Sequence, residues 1–450
     1  MIMMIKIIYF VGLVIFILTL TFSYKIISGK YDKQNEFILK IKETIPTEFK
    51  AYLRNLIYDL RYSLIQNEVD RIQKIKIDQG LNGDLISEKK VYTELDKKEF
   101  VFKDFFLPFD RLDLSYGWKS IINAKRAHYL DTDDDKTIVV SGDGNFIFFE
   151  TKNFLSNKLN QKKIDSNLLN FLENENYTFI GLRDLLIDKD RIYLSVILED
   201  IKKNFTLAIV TSELNYEKLE FQLFFNTNLL LPDYSIGSGG RIVNYGDDKL
   251  LFTVGHFDLN NEIQNPKNLA GKIISIDKNE KSFEVVSLGH RNQQGLLYFK
   301  DNENNEFIIN SEHGPKGGDE ININKLKNEK IYNFGWPISS YGINYDGTNP
   351  FKPNHKDYGY EEPLTYFTPS IGISEISVKN IKNSNFIFAS SLRAHSIYII
   401  ESDKGFTKAI NKDRLNLGSR IRDIKYIDML DGFIVILENI PSVGFIKSYD

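Results

Sequence analysis

The segments Gly289-His-Arg-Asn-Gln-Gln-Gly-Leu296, Asn310-Ser-Glu-His-Gly-Pro-Lys-Gly-Gly-Asp-Glu-Ile-Asn322 and Asn333-Phe-Gly-Trp-Pro337 are the most informative part of this chain. Glycine and proline set unusual backbone angles in them, while an arginine, two histidines and several acids recur at fixed spacing. A buried strand requires no such mixture. The three segments therefore indicate a site built around a bound ligand.

In their order and separations, these segments resemble the soluble quinoprotein sugar dehydrogenases, the glucose/sorbosone dehydrogenase family. Members of that family are six-bladed β-propellers that hold pyrroloquinoline quinone (PQQ) over a calcium ion. The resemblance implies an all-β fold and an oxidoreductase that passes hydride from C1 of an aldose to the quinone.

The rest of the chain has the pattern of a propeller. From about Val101 onward, short apolar strands alternate with turns of Asp, Asn and Gly, as in segments 183–195, 240–253 and 422–437. Such degenerate repeats are typical of blades, which are four-stranded sheets too small to bury a core alone. The length suits about six to eight blades, and the family resemblance selects six.

Composition excludes several classes of function. The 450 residues are 42% apolar and 13% aromatic, which suits a large β-rich core. A net charge of −4 without a basic block argues against nucleic acid as a partner. The absence of cysteine excludes disulfides and cysteine-based metal sites.

The N-terminal segment predicts attachment to a membrane. Residues Ile7 to Tyr24 carry no charge, a length near the lower limit for a bilayer-spanning helix. A cleaved signal peptide is the alternative, but the small-residue cleavage site is missing. We expect an uncleaved single-pass anchor, and the family resemblance implies a propeller on the periplasmic side.

A helical region is predicted after the anchor. Phe49, Leu53, Leu56 and Leu60 recur at helical spacing within residues 34–77. This helix forms either a stalk or a packing element on the outside of the propeller. Residues 78–100 are polar and suit a linker. The predicted divisions are an anchor at 1–30, a helical stalk and linker at 31–100, and the propeller at 101–450.

Metal ligands are expected in the segment Glu312-His-Gly-Pro-Lys-Gly-Gly-Asp-Glu320. A tight Gly-Pro turn can direct carbonyl oxygens inward, and calcium accepts backbone and carboxylate oxygens. By resemblance, the carbonyls of Gly314 and Pro315 hold the calcium bound to PQQ. Glu320 and the backbone near Phe334 match a second, structural calcium.

Cofactor contacts follow from the same resemblance, because PQQ carries three carboxylates. Arg420 and Arg422 lie two residues apart, so on a strand both side chains point to one side, as a two-point carboxylate contact requires. The resemblance assigns six residues to the cofactor: Arg291, Asn292, Tyr345, Arg393, Arg420 and Arg422.

Two family positions are substituted. The family has a histidine base before Gly-Gly-Arg, but the segment here is Ser235-Ile-Gly-Ser-Gly-Gly-Arg241, so Gly237 takes its place. Phe179 replaces a family glutamine. Loss of a general base typically lowers the rate by about 10²–10⁴-fold. His256 is the candidate replacement base, and a hydrogen-bonded structural histidine is the alternative.

Three functions are compatible with the sequence. The first is a membrane-anchored PQQ- and calcium-dependent aldose dehydrogenase that passes electrons to a quinone or cytochrome. The second is a propeller without catalysis that binds a sugar, glycan or protein. The third, a calcium-dependent lactonase-like hydrolase, has less support, because the carboxylate and asparagine ligands of such enzymes are not apparent.

Overall fold

The computed structural model describes residues 83–109, 127–133, 135–231, 237–301, 303–326, 330–344, 351–381 and 384–448. The chain divides into two compact units, Met1–Gly80 and Leu81–Asp450, and every described residue belongs to the second. The predicted anchor and helical stalk therefore lie outside the described residues. Within those described ranges, no helix is long and apolar enough to cross a membrane.

The second unit is a six-bladed propeller, as predicted, with four or five strands in each blade. The first two strands are β1 (Leu85–Tyr92) and β2 (Glu99–Phe106). Blade 1 contains β3 (Tyr129–Thr132), β4 (Lys136–Val140), β5 (Phe146–Glu150), β6 (Lys162–Ser166) and β10 (Lys218–Leu219). Blade 2 contains β7 (Tyr177–Asp188), β8 (Arg191–Asp200), β9 (Phe205–Glu213) and β11 (Gln222–Asn226). Blade 3 contains β12 (Gly239–Tyr245), β13 (Lys249–Val254), β14 (Lys272–Asp277), β15 (Phe283–Leu288) and β19 (Tyr332–Asn333).

The remaining three blades follow in chain order. Blade 4 contains β16 (Gln293–Lys300), β17 (Glu306–Glu312), β18 (Asp319–Lys325) and β20 (Thr365–Phe367). Blade 5 contains β21 (Ile373–Ile381), β22 (Ser384–Ser391), β23 (Ser396–Ser402) and β24 (Ala409–Asn416). Blade 6 contains β25 (Ile421–Ile427), β26 (Gly432–Leu437) and β27 (Ser442–Ser448), followed outward by β2 and β1. The helices are α1 (Leu168–Asn174) and three 3₁₀ turns, Thr151–Leu155, His355–Tyr358 and Asp428–Leu430.

The two ends of the propeller meet in blade 6. β2 pairs antiparallel with β27, from Phe100 opposite Ser448 to Phe106 opposite Ser442. This pairing corrects the linker predicted for 78–100, because β1 and the start of β2 are strands of the last blade. The polar sequence of β1 misled the prediction: it is an edge strand, and charged side chains protect such edges from aggregation.

The hydrophobic core lies between the blades. Ile138 and Phe146 of blade 1 share one buried cluster with Leu185 and Leu194 of blade 2. Similar clusters join blades 2 and 3 and blades 5 and 6. Each blade thus buries its apolar face against the next blade, which explains why a single blade would not be stable alone.

A ring of polar contacts joins the innermost strands β3, β7, β12, β16, β21 and β25, and we call it the inner ring. At each of the six junctions, a side chain of one blade hydrogen-bonds the backbone of its neighbour. The distances in Å are Asp131–Ile187 N 2.6, Asp184–Ile242 N 2.7, Arg241 Nε–Gln294 O 2.6, Glu375–Leu296 N 3.0, Ser374 Oγ–Ile421 O 2.6 and Asp423–Leu130 N 3.1.

Arg241 is the cation at the centre of the inner ring. Its side chain is 3% exposed, and its Nη1 lies 2.9 Å from Asp184, 2.9 Å from Glu375 and 3.6 Å from Asp423. Burial raises the pKa of each of these three carboxyl groups, and Arg241 opposes the shift. One guanidinium thus connects carboxylates of three other blades. Because the site is buried, water screens these electrostatic interactions little.

We expect Arg241→Met to destabilise the propeller by about 3–5 kcal/mol, because it leaves three carboxyl groups buried without their cation. Urea unfolding measures the change. Lys249→Met is the matched control, because Lys249 is exposed and its 3.4 Å pair with Glu284 should contribute less than about 1 kcal/mol. Equal stability of the two variants would contradict the central role of Arg241.

Candidate functional site

The segments 289–296, 310–322 and 333–337 meet at one end of the channel. His290 Nδ1 lies 3.1 Å from Glu312 Oε2, which connects the first segment to the second. The backbone N–H of His313 also donates to the carbonyl of Asn292 at 3.0 Å. Phe334, in the third segment, packs its ring 4.9 Å from that of His290. The spacing of the segments therefore reflects a shared location.

Arg291 is held over this end of the channel. Its Nη1 donates to the carbonyls of His313 at 3.2 Å and Gly314 at 3.0 Å. Its guanidinium lies 5.2 Å from the centre of the Trp336 ring, within cation–π distance. Its Nε is buried and has no hydrogen-bond partner among the described residues.

A chain of hydrogen bonds extends from Arg291's neighbours to blade 6. Asn292 Nδ2 lies 3.4 Å from His313 Nδ1, and Asn292 Oδ1 accepts from Gln294 Nε2 at 3.0 Å. Gln294 Oε1 in turn accepts from Arg422 at 3.2 Å. We call the region around Arg291, Asn292, Gln294, His313 and Arg422 the channel mouth.

His313 presents a second buried donor at the channel mouth. Burial lowers the pKa of His313, Asp319 opposes the shift, and Arg291 and Arg422 add to it. The ring is therefore neutral, and if Nδ1 accepts from Asn292, Nε2 carries the proton. His313 Nε2 is buried without a hydrogen-bond partner in the described part of the chain.

The arginine pair predicted to bind a cofactor carboxylate contacts a protein carboxylate. Arg420 Nε lies 2.9 Å from Glu438 Oε2, and Arg422 Nε lies 2.7 Å from Glu438 Oε1. The Glu438 side chain is fully buried. Of the other predicted cofactor residues, Arg393 is exposed in the turn between β22 and β23, and Tyr345 lies outside the described residues.

The predicted calcium turn is fixed in position by Asp319. Asp319 accepts from Gly314 N at 3.2 Å and from the backbone N–H groups of residues 371–373 at 2.8–3.1 Å. A Cβ at Gly314 would lie 2.2 Å from the Gly318 carbonyl, so the turn requires glycine there. Pro315 is buried, and the Gly314 carbonyl faces the Arg291 guanidinium. That carbonyl is thus oriented toward a positive charge.

An acidic cleft adjoins this turn. Glu312 and Glu320 are opposite each other on β17 and β18, and Phe334 lines the same cleft. Burial raises the pKa of Glu320, and the nearby Glu312 raises it further. Among the described residues, no group of three or more His, Cys, Asp or Glu side chains could hold a metal. A cation here would therefore need backbone or amide oxygens as well.

His256 and Gly237 occupy adjoining space. A Cβ at position 237 would lie 2.2 Å from His256 Nε2, so the imidazole stands where a side chain at 237 would begin. His256 Nδ1 accepts from Asp258 N at 3.1 Å, and Asn260 also hydrogen-bonds the ring. Burial, followed by Arg291, lowers the pKa of His256 to about 3. His256 is thus a neutral, buried histidine.

Sequence reasoning missed three charged residues at or near the channel mouth. In the sequence, Arg241 ends a glycine motif and Glu438 follows an ordinary apolar run, so neither pattern by itself indicates a site. Arg183, whose Nε donates to Ser238 Oγ at 2.6 Å, lies within an apolar strand pattern. One signal was available: Glu438 is an acid directly after the fully buried strand β26. The other substituted position, Phe179, packs in the core between blades 1 and 2.

Comparison with known proteins places this arrangement in a family. The family model described as Glucose / Sorbosone dehydrogenase matches residues 134–444. The aldose sugar dehydrogenase YliI of Escherichia coli (strain K12) is 27% identical over 237 residues. That match covers 48% of this chain and 62% of the relative, which is less than two thirds of the relative's length.

Solved structures share the fold. The soluble aldose sugar dehydrogenase of Escherichia coli, in its apo form, superposes with a TM-score of 0.56 at 21% identity, covering 71% of this chain and 96% of that chain. The PQQ-bound aldose sugar dehydrogenase of Streptomyces coelicolor gives a TM-score of 0.53 at 18% identity, covering 78% and 98%. At these identities the likeness extends to the fold alone.

The contact between residues 237 and 256 predicts an energetic coupling. We expect Gly237→Ala to cost about 1–3 kcal/mol, because the new methyl overlaps the His256 ring. In a His256→Ala background the same change should cost at least about 1 kcal/mol less. Urea unfolding of the two single variants and the double variant measures the difference. Additive effects would show that the ring does not fill this space.

Proposed function

The chain belongs to the glucose/sorbosone dehydrogenase family, and on this premise we propose that it is a PQQ- and calcium-dependent oxidoreductase of the aldose sugar dehydrogenase type. One observation carries the proposal. Arg291 Nε and His313 Nε2 are buried donors at the channel mouth, without partners among the described residues. Buried donors without acceptors are costly, so this end of the channel favours a ligand rich in oxygen.

PQQ has the chemistry that these residues require. Its three carboxylates and quinone oxygens are acceptors, and bound PQQ would serve as the two-electron acceptor for sugar oxidation. We propose that Arg291 and Asn292 hold one side of the group. Tyr345, Arg393, Arg420 and Arg422 complete the set by family resemblance.

Calcium is the second proposed component. By family resemblance we propose a first cation position at the Gly314–Pro315 turn, which Asp319 anchors through Gly314 N. A cation there would replace the Arg291 guanidinium that now donates to the Gly314 carbonyl at 3.0 Å. The opposed carboxyl groups of Glu312 and Glu320 support a second position near Phe334. Oxygen ligands from backbone and carboxylate are those that calcium prefers.

The proton acceptor for the sugar hydroxyl is proposed to be His256. Its low pKa keeps the ring neutral, and because Nδ1 accepts from Asp258 N, Nε2 carries the proton. The proposed role therefore requires the proton to move to Nδ1, which lies 3.5 Å from the Asp258 carboxylate, so that Nε2 becomes the acceptor. Its Nε2 stands beside Gly237, at the point from which the family's base would extend. We propose that His256, which follows the end of β13, acts as the base in place of a side chain at position 237.

The proposed cellular setting follows from the predicted N-terminal anchor. We propose that the anchor holds the propeller on the periplasmic side of a membrane. Sugar substrates would then arrive from outside the cytoplasm, and electrons would leave to a quinone or cytochrome in or near the same membrane.

A binding function without catalysis is the second candidate. Two observations favour it. Position 237 is glycine, which has no side chain to act as a base. Arg420 and Arg422 already contact Glu438. In that case the channel mouth would bind a sugar, glycan or protein partner through its donors without oxidising it.

Reconstitution of the full chain with PQQ and Ca²⁺ distinguishes the two candidates. We expect PQQ to bind and its absorbance to bleach when aldoses are added, because the family's cofactor residues are largely retained. Binding without bleaching for any aldose would indicate a cofactor-holding propeller without catalysis. The absence of PQQ binding would contradict the dehydrogenase proposal.

The same assay tests the proposed base. We expect His256→Asn to reduce the bleaching rate by about 10²-fold or more, with little change in PQQ affinity. The asparagine retains a hydrogen-bonding group in the cleft but cannot take up a proton. An unchanged rate in this variant would assign His256 a structural role.

We expect Ca²⁺ to raise the free energy of unfolding of the chain. Saturating Ca²⁺ at about 100 times its Kd should stabilise the chain by about 2.7 kcal/mol, and EDTA should reverse the effect. Glu320→Gln should weaken this response, yet leave the metal-free protein at least as stable as the wild type, because burial and then Glu312 both disfavour the charged form of Glu320. Glu284→Gln, at an exposed site, is the control. A full calcium response in Glu320→Gln would exclude this ligand.

A further inference from the structure

Glu438 forms a two-point contact with the arginine pair. Each carboxylate oxygen faces one guanidinium, Oε1 toward Arg422 at 2.7 Å and Oε2 toward Arg420 at 2.9 Å. Both hydrogen bonds are charge-assisted, so each is stronger than a bond between neutral groups. This two-point contact is also the one that an incoming carboxylate would make with the same two Nε groups.

The three residues are held by one hairpin. Arg422 lies on β25, Arg420 directly precedes that strand, and Glu438 directly follows β26, which pairs with β25. The backbone N–H of Glu438 donates to the carbonyl of Arg420 at 2.9 Å. Because these residues lie on or directly beside paired strands, the backbone of the hairpin holds the carboxylate next to the guanidinium groups.

The arginines are only partly covered by protein. Their side chains remain 25% and 13% exposed for Arg420 and Arg422, whereas the Glu438 side chain is fully buried. Burial lowers the pKa of Arg422, but Glu438 leads the groups that raise it, and the net shift is upward. Glu438 is therefore the main counter-charge of this arginine.

We propose that Glu438 is the specificity-determining residue of the channel mouth: its carboxylate competes with ligand carboxylates for Arg420 and Arg422. An external carboxylate binds to the pair only by displacing Glu438. The inference rests on the proposed function, because it concerns the arginines assigned there to PQQ.

The competition disfavours carboxylate ligands strongly. A group tethered in the same protein acts at an effective concentration of about 1 mM or more, and a rigidly held group acts at a higher one. Ligands must therefore gain enough from Arg291 and His313 to offset the loss of the Glu438 contact. The channel mouth selects ligands with several acceptor groups over simple carboxylates.

Glu438→Gln in the full chain tests the proposal, with citrate as a small polycarboxylate probe and ionic strength matched with chloride. We expect the Tm to fall by about 5 °C, because two mostly buried guanidinium groups lose their counter-charge. Citrate should restore the Tm saturably, while the wild type and the exposed-site control Glu284→Gln should not respond. The PQQ affinity of Glu438→Gln should rise at least about tenfold above that of the wild type.

A second variant keeps the test decisive if Glu438→Gln fails to fold. Glu438→Asp retains the charge but is one methylene shorter, so it weakens the contact with the two arginines without removing the counter-charge. We expect an intermediate citrate response and an intermediate gain in PQQ affinity. A response equal to that of the wild type in either variant would overturn the proposal.

The outcomes separate this inference from the proposed function. If citrate restores Glu438→Gln but no form binds PQQ, the inference stands and the dehydrogenase proposal fails. If the wild type binds PQQ and oxidises aldoses, while Glu438→Gln neither loses stability nor gains affinity, the inference fails and the function stands.

Discussion

The structure depends on one buried charge, Arg241, at the point where six innermost strands meet. Each strand has an unsatisfied inner edge, because a blade cannot pair its first strand with another strand across the channel. The inner ring solves this with one side chain-to-backbone hydrogen bond at every junction. Three of its carboxylates, Asp184, Glu375 and Asp423, need a cation in this dry location, and Arg241 supplies it.

The same constraint positions the candidate site. Arg241 and its three carboxylate partners are buried between the innermost strands, so the polar groups that a ligand could reach lie at the strand ends. Arg291, Asn292 and Arg422 all lie at those ends, next to turns that require glycine at positions such as Gly314. The inner ring therefore fixes the distances between these three side chains, which would bind a single planar ligand. The innermost strands thus form the inner ring and also carry the candidate site at their ends.

Sequence reasoning reached the propeller and the clustering of the three segments, because glycine turns and repeated strands leave local patterns. It missed β1 and the start of β2, since the polar edge strand β1 resembles a linker. It also missed the contact of Glu438 with Arg420 and Arg422, because nothing in the local sequence tells whether a guanidinium faces a ligand or a protein carboxylate. The packing of His256 over Gly237 was likewise beyond reach, since it depends on how two loops approach each other.

The measurement that tests the central claim most directly is a crystal structure of the full chain grown with PQQ and Ca²⁺. The account predicts density for the quinone at the channel mouth, with acceptor oxygens at Arg291 Nε and His313 Nε2 and an ion at the Gly314 carbonyl. In that structure Glu438 should have left at least one of its two arginines. A channel mouth without the quinone, with Arg420 and Arg422 still on Glu438, would contradict the account.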